Sequence, residues 1–478
     1  MLSRACSVLF ALLLAVHAVL ATLTSLKKPF WFDELFTVHA GRLLHSGRLW
    51  QALYDGLDAM PPAFHGLNAA CAALIADPHL AYRLPAIAGW LLATSGLYAF
   101  GRGVRGQAAG LASVSLFALM PVSLYGSEAR PYGLLLGVTA WAMVCWLGEK
   151  RHRWLLLLLP LAASLHYLAP LTVACFALAE AVHYGVHRQV RRTVWLAIGL
   201  AAIPVVLTLP TLLHARAESG AQHWARPDIR GIPYYYGNLL GLPLYVALAA
   251  IPAGLALAAY GVRRRRQEFF LLFPMLMLPL MGLGLALLSG GAFAERYAIP
   301  VVLAAALLVP LSVPRFPSRA ESLCAAGLSA AVIWFAAAGA VRLVRLPPAE
   351  VAARESPLLT SARHAPGDGL PIVFANSLDF LPAAHYAEPA LAARVYCLAD
   401  KDAAGRIGNT ADNARLMLTL RRYADLNIAA PGPFIAAHPR FYVLTSGLPR
   451  MNWLPAWLKE RGYRLQRQPD SQLLLAEP

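Results

Sequence analysis

Trp31-Phe32-Asp33-Glu34 follows directly on an apolar run, and two adjacent acids at such a boundary have two uses. Drawn into lipid, each charge costs roughly 2.5–3.5 kcal/mol on insertion scales, so the pair lies at the water interface or faces a polar cavity. The structural use is to favour a helix start, where carboxylates meet the positive end of the peptide dipoles. The chemical use is general-base catalysis, a carboxylate taking the proton of a hydroxyl nucleophile, worth roughly 10²–10⁴ in rate. Three further groups sit at the edges of apolar runs: Glu128-Ala129-Arg130-Pro131-Tyr132, His166-Tyr167, and Glu295-Arg296-Tyr297. Pro131 suits the first position of a helix and disfavours helical geometry at Arg130, so Glu128 and Arg130 are expected on a loop over a helix N-terminus, where anions are welcome.

Each group also has a structural explanation. Arg130 can pair with Glu128, His166 near Pro170 can be an ordinary interfacial side chain, the tyrosines can belong to an aromatic belt, and Arg296 can be an anchor. Convergence on one leaflet gives them a shared meaning, and that depends on topology.

The chain has 478 residues, is 58% hydrophobic and only 14% charged, with a mean hydropathy of +0.54. Soluble domains carry about 25% charged residues, so this composition is that of a polytopic α-helical membrane protein. Runs long enough to span fall at about 7–26, 83–100, 107–125, 132–148, 154–169, 170–186, 193–214, 238–260, 268–289, 297–313 and 322–342. Met60–Ala76 is apolar too, but it holds Pro61-Pro62, His65 and Asn68. With that stretch on the membrane surface and the N-terminus cytoplasmic, the basic clusters at Arg102/Arg105, Lys150/Arg151/Arg153, Arg188/Arg191/Arg192, Arg263–Arg266 and Arg315/Arg319 all fall inside. Letting it span would put every cluster outside, against the positive-inside bias. The expectation is about eleven spans in residues 1–346, a first outer loop over about 27–82, and an extracytoplasmic C-terminal domain over 347–478. The acids, Arg130, His166 and Arg296 then share the outer face.

The first 346 residues hold 27 basic against 13 acidic side chains, and residues 347–478 hold 14 against 12. Membrane orientation accounts for this basic excess without a nucleic-acid partner, since no basic-aromatic interleaving is present. Six cysteines show no paired spacing, which argues against a disulfide framework or a cysteine zinc site. The run from Ala5 to Leu26 lacks a small-residue cleavage site and reads as a retained signal anchor. In the C-terminal region, apolar runs at Pro371–Ala375, Arg394–Leu398, Phe441–Thr445 and Gln472–Ala476 alternate with helix-like stretches near Leu378–Tyr386, Asp412–Tyr423 and Trp453–Glu460. That texture predicts a small α/β unit, with turns at Asp368-Gly369 and Pro431-Gly432-Pro433.

One activating carboxylate, a few arginines and an apolar wall suit the movement of a sugar from a lipid phosphate carrier to an acceptor hydroxyl outside the membrane. The departing phosphate is a stable anion, so it needs guanidinium partners rather than a general acid. The sequence resembles the GT-C membrane glycosyltransferases, in particular the branch of protein O-mannosyltransferases, aminoarabinose-lipid A transferases and bacterial galacturonosyl- or mannosyl-transferring relatives. The resemblance rests on an ordered set over about 27–300: Asp33-Glu34, Gly41-Arg42, Ser46-Gly47, Pro61-Pro62, Tyr82-Arg83-Leu84-Pro85, Gly101-Arg102, Glu128-Ala129-Arg130-Pro131-Tyr132-Gly133, His166-Tyr167, and Arg296-Tyr297 with Pro300.

The resemblance implies an inverting transfer from a polyprenyl-phosphate sugar donor to a lipid, glycan or protein acceptor, in the inner or plasma membrane with the site on its outer face. It implies Asp33 as the essential base-like acid with Glu34 beside it, and a donor phosphate and sugar site among Glu128, Arg130, Tyr132, His166, Tyr167, Arg296 and Tyr297. The family commonly has His before its Pro-Pro pair; here that residue is Met60, with His65 close by. No metal ligand set has the right spacing and no cofactor is implied, although the family leaves a divalent metal open. Two readings from other classes are a polar-lipid transporter or flippase and a catalytically inactive membrane assembly subunit. Transporters place ionisable residues at the bilayer midplane and carry repeated halves; the predicted spans are nearly free of charge at their centres, and no repeat is visible.

Overall fold

The structure is a computed structural model that describes residues 2–219, 225–241, 256, 259–261, 263–264, 266–312, 317–408, 410–445, 447, 451–468 and 472–478. Most of the span expected at 238–260 lies outside the described residues. Contacts divide the chain into two compact units, one of Met1–Ser25, Met60–Pro210 and Pro227–Arg345, the other of Leu26–Ala59, Thr211–Arg226 and Leu346–Pro478. The stretch read as one outer loop therefore divides between Ala59 and Met60.

The first unit is helical. Its elements are α1 (Leu2–Lys27, to Ser25), α4 (Pro62–Leu74), α5 (Pro78–Arg105), α6 (Gln107–Leu119), α7 (Tyr132–Leu147), α8 (Leu155–Leu165), α9 (Ala169–His187), α10 (Arg192–Leu200), the start of α11 (Ala202–Ser219), α12 (Ile232–Leu240) and later helices that include Val301–Ser312 and Ser318–Val344. Five described helices are long and apolar enough to cross a membrane, or six if Gln267–Leu276 and Leu278–Ser289, bent by 46°, form one span. Gln107–Leu119, Tyr132–Leu147 and Val301–Ser312 are apolar but shorter. Prolines account for several early stops. Met120 before Pro121 is extended, so α6 gives way to a 3-10 turn over Pro121–Gly126. Pro170 opens α9, so the runs at 154–169 and 170–186 become two helices joined by a turn at His166–Leu168. Met60–Ala76 yields only the 13-residue α4, less than the roughly 17 residues a span needs.

α5 is the central element. Asp77 caps it by accepting the Leu80 N–H at 2.8 Å, and Pro78 occupies its first turn. It packs on α7 through glycines on both helices. A Cβ at Gly89 would lie 2.2 Å from Leu134 Cα, one at Gly137 would lie 2.3 Å from the Gly89 carbonyl, and one at Gly96 would lie 2.8 Å from Ala140 Cβ. This small-residue seam lets two backbones touch, the usual way helices associate in lipid. α1 packs on α5 through the stacked Phe10 and Tyr98 rings, with centroids 3.9 Å apart, and the His17–Thr94 hydrogen bond of 3.2 Å. Buried Arg83 donates from Nη1 to the Ser25 carbonyl at 2.7 Å. The basic helix ends are tied down by Arg105, which donates to the Pro310 carbonyl at 2.8 Å and to Glu321, and by Arg191, which pairs with fully buried Glu180 under the Trp146 ring.

The second unit is built on a six-stranded sheet of order β3-β2-β1-β4-β6-β5, with β1 (Ile372–Phe374), β2 (Val395–Leu398), β3 (Ile428–Ala429), β4 (Phe441–Leu444), β5 (Arg464–Arg467) and β6 (Leu473–Glu477). The first four run parallel, while β6 is antiparallel to β4 and to β5. β1 and β4 are buried along their length, as central strands covered on both faces must be. The four apolar runs of the sequence fall on β1, β2, β4 and β6. Pro431-Gly432-Pro433, expected as a turn, instead opens the helix Pro431–Ala437, because proline is tolerated in a helix's first turn.

Two helices from the beginning of the chain join this unit, α2 (Phe32–Leu43) and α3 (Leu49–Tyr54). The Phe30 N–H donates to the Tyr386 hydroxyl at 2.7 Å, and Lys27 donates to the Leu346 carbonyl at 2.7 Å. The Tyr423 hydroxyl donates to Asp55 Oδ2 at 2.7 Å, and the Arg48 guanidinium lies 4.9 Å from the Tyr423 ring centre.

Candidate functional site

In the first unit, the α5–α7 seam fixes where α7 begins, and so fixes the loop before it. Pro131 serves as the N-cap residue of α7, one position earlier than the sequence suggests, with its carbonyl accepting the Leu135 N–H at 2.8 Å. Glu128, Arg130 and Tyr132 are all nearly buried, at 5%, 5% and 2% exposure. The Arg130 N–H donates to the Glu128 carbonyl at 2.7 Å, a tight turn that holds both side chains on the rim of the helix start.

The α8–α9 turn supplies the next residue. His166 is buried, and its Nδ1 accepts the Leu168 N–H at 3.1 Å, so the proton of a neutral ring sits on Nε2. Its ring centre lies 5.6 Å from Tyr132 and 5.2 Å from Tyr297. Tyr297 sits on the 3-10 turn Glu295–Ala298, and the Arg296 guanidinium lies 5.9 Å from its ring centre. Three segments far apart in sequence thus bring Tyr132, His166 and Tyr297 into one contiguous group, with Arg130 two residues from one end and Arg296 at the other. Tyr167 is half-buried in the same turn as His166. Sequence reasoning missed the extension of this row: Tyr125 packs 5.0 Å from Tyr132, and Phe293 packs between Tyr297 at 6.5 Å and Tyr235 at 5.0 Å. Tyr125, three residues before Glu128, and Phe293, three before Arg296, lie close to their motifs, which is the only signal the sequence offers for them.

In the second unit, Asp33 and Glu34 occupy the first turn of α2, where the helix dipole favours negative charge. The two acids differ. Glu34 is fully buried, and its Oε2 accepts the Trp31 N–H at 3.2 Å, closing a capping box. Asp33 is half-buried. Thr37 lies one turn on from Asp33 and is buried on the same helical face. Further along α2, burial, with help from Arg42 and His385, lowers His39 to about 3, so its imidazole is neutral across physiological pH. Asp33 and Glu34 belong to the second unit, and the other seven expected site residues to the first.

His65 of α4 is buried at 0% exposure beside Phe64. Among the described residues no group of three or more His, Cys, Asp or Glu side chains could hold a metal ion.

No protein-family model matches the chain, and no curated protein matches it by sequence. Solved structures do match by fold. ArnT from Cupriavidus metallidurans bound to undecaprenyl phosphate aligns at a TM-score of 0.59 and 13% identity, covering 98% of this chain and 97% of that one. The same protein in its apo state aligns at 0.60, with equal identity and coverage. The archaeal oligosaccharyltransferase AglB from Archaeoglobus fulgidus, in complex with an inhibitory peptide and a dolichol-phosphate, aligns at 0.41 and 11% identity, over 91% of this chain and 69% of that one.

Proposed function

The chain has the fold of the GT-C membrane glycosyltransferases, and we propose that it is one: that it moves a sugar from a polyprenyl-phosphate donor to an acceptor hydroxyl on the extracytoplasmic face, with inversion. The observation that carries this reading is the meeting of Tyr132, His166 and Tyr297 from three separate turns, flanked by Arg130 and Arg296. A row of two buried rings and the partly buried Tyr297, with a guanidinium at each end, suits an anionic head group joined to an apolar tail. The ligand of the ArnT structure is undecaprenyl phosphate, and a carrier of that class is the donor lipid proposed here.

In this scheme Arg130 and Arg296 hold the phosphate as negative charge develops on it, and His166 donates from Nε2 to the same anion. Charge-assisted bonds of this kind are roughly twice as strong as neutral ones. They act where charge appears in the transition state, so they speed departure of the carrier rather than only binding it. Asp33 takes the acceptor hydroxyl's proton as the oxygen attacks the anomeric carbon from the face opposite the phosphate. Glu34 is held by the cap and orients the first turn of α2. The membrane arrangement that goes with this reading is eleven spans, with the turns of the site and the C-terminal domain outside.

The test is Asp33→Asn in the full chain reconstituted in membranes. Transfer falls by roughly 10²-fold or more while expression and thermal unfolding stay at the wild-type level; full activity in that variant removes Asp33 from the mechanism.

A further inference from the structure

The sheet order β3-β2-β1-β4 reverses direction at β1, and doubly wound sheets bind ligands outside the carboxyl ends of the strands at such a switch point. Here that edge is filled. Asn376 caps the helix Ser377–Tyr386, and its Nδ2 donates to Asp379 at 2.7 Å and to Asn452 Oδ1 at 3.0 Å. The space left beside it is about 10 Å³, room for one water at most. The opposite edge, where β1, β2 and β4 begin, is open instead, and it carries a cavity of about 420 Å³. Small-molecule sites run from about 300 to 1,000 Å³.

The walls of this cavity are fixed by hydrogen bonds that leave other polar atoms available. Asp368 Oδ1 accepts the Leu370 N–H at 3.1 Å, and its Oδ2 accepts the Tyr442 hydroxyl at 2.7 Å, so this carboxylate is already satisfied. Arg394 donates from Nε and Nη2 to the Leu370 carbonyl at 3.1 and 2.9 Å and from Nη2 to the Pro366 carbonyl at 3.0 Å, which holds its guanidinium still and leaves Nη1. Arg440 donates from Nε to Glu477 at 2.8 Å, which leaves both Nη groups. The His438 ring packs against Phe434 at 4.9 Å and Tyr396 at 6.1 Å, and neither it nor the Tyr396 hydroxyl has a hydrogen-bond partner among the described residues. Arg394 Nη2 also lies 3.6 Å from Asp368 Oδ1, so this carboxylate is paired within the wall, and the cavity offers the remaining donors of two arginines and an imidazole around an aromatic wall.

We propose that this cavity, at the amino ends of β1, β2 and β4, binds an anionic sugar: a pyranose bearing a phosphate or a carboxylate. Arg394 and Arg440 take the anion, and the ring lies against Tyr396 and His438. An inorganic anion alone does not use the aromatic wall, and a neutral sugar leaves the guanidinium donors unused. The assignment concerns the sheet-bearing unit alone. Its use in holding the glycan of an acceptor rests on the transfer reading above, but the binding itself does not.

The experiment uses the full chain in lipid nanodiscs and follows glucuronate, glucose 6-phosphate, glucose and inorganic phosphate by saturation-transfer NMR, with hydrogen exchange read over residues 368–370 and 437–440. Both charged sugars are expected to receive saturation and to protect those segments. Arg440→Gln and His438→Ala are each expected to weaken both by about tenfold while donor turnover is unchanged. Arg440 is exposed, so its variant folds even if His438→Ala does not. The proposal is overturned if neither charged sugar binds, if glucose or inorganic phosphate binds as well as they do, or if Arg440→Gln leaves their affinity intact. Loss of transfer in Asp33→Asn with sugar binding retained separates this site from the transfer reading.

Discussion

Gly89→Ala tests whether the α5–α7 seam sets the geometry of the candidate site. The added Cβ would sit 2.2 Å from Leu134 Cα and 2.4 Å from the Gly133 carbonyl group. Ordinary contact begins near 3.4 Å, so the helices must part by about 1 Å at that point, and neither partner is a flexible side chain. Overpacking of this kind costs about 1–3 kcal/mol. The displaced residues directly follow Tyr132, so the Glu128–Tyr132 rim moves with them, and a misplacement of about 1 Å can cost on the order of 10²-fold in rate. Gly103→Ala is the matched control: it lies on the same helix with nothing within 4 Å of its Cβ, and alanine there gains about 0.5–1 kcal/mol of helix propensity. The assay is polyprenyl-phosphate release by the purified chain in nanodiscs, beside its thermal unfolding. Gly89→Ala is expected to unfold several degrees lower and to lose between ten- and a hundredfold in kcat/KM, by the same estimate of about 1 Å, while Gly103→Ala keeps wild-type activity and unfolds no lower than wild type. Wild-type activity and stability in Gly89→Ala would refute the idea that this seam holds the site.

Two other predictions concern single groups. Arg296→Ala should reduce donor use more than Arg296→Lys, since lysine keeps the charge but loses the planar fork; equal losses, measured as kcat/KM for the donor, would rule out a bidentate phosphate contact. Burial and the hydrogen bond to Asp368 push the Tyr442 hydroxyl up from 10.0 to about 12. Its contribution to stability is therefore complete below pH 10 and is lost as pH rises from 10 to 12, because the unfolded chain gives up this proton first. Urea unfolding of the full chain across pH 9–12 should show that decline, and Tyr442→Phe should flatten it; an unchanged slope in the variant would assign the decline elsewhere.

Much of the fold was legible because membrane segments and buried strands write themselves as apolar runs. β1, β2, β4 and β6 fall on such runs, and α5 falls on the run at 83–100, lengthened by the Asp77 cap and Pro78 that precede it. β5, with its exposed Arg464 and Arg467, has no apolar signature, since an edge strand faces water on one side. The proline-opened helix at Pro431 was read as a turn because local composition cannot tell a helix's first residue from a break. The attachment of α2 and α3 to the sheet-bearing unit was not legible either. It depends on pairs such as Asp55–Tyr423 and Phe30–Tyr386, more than 350 residues apart in the chain, which no local pattern encodes.

The site shows the same division. Arg130, His166 and Arg296 stood out because charged or titratable groups beside apolar runs need a reason. Tyr132 and Tyr297 were marked only by the charged residues beside them, and Tyr125 and Phe293, which lengthen the row, were not marked at all, because aromatic residues at a membrane edge have an everyday explanation. Asp33 and Glu34 look alike in sequence, yet only the structure separates a buried capping acid from a half-buried one.

The most direct measurement of the central claim is to incubate the purified chain with a panel of undecaprenyl-phosphate sugars and candidate acceptors, and to follow both the lipid and the anomeric proton of the product. One donor is expected to be consumed, undecaprenyl phosphate to be released in equal amount, and the product anomer to be opposite to the donor's. A chain that moves the lipid across the bilayer with its sugar–phosphate bond intact, or releases carrier with the anomer retained, would contradict that claim.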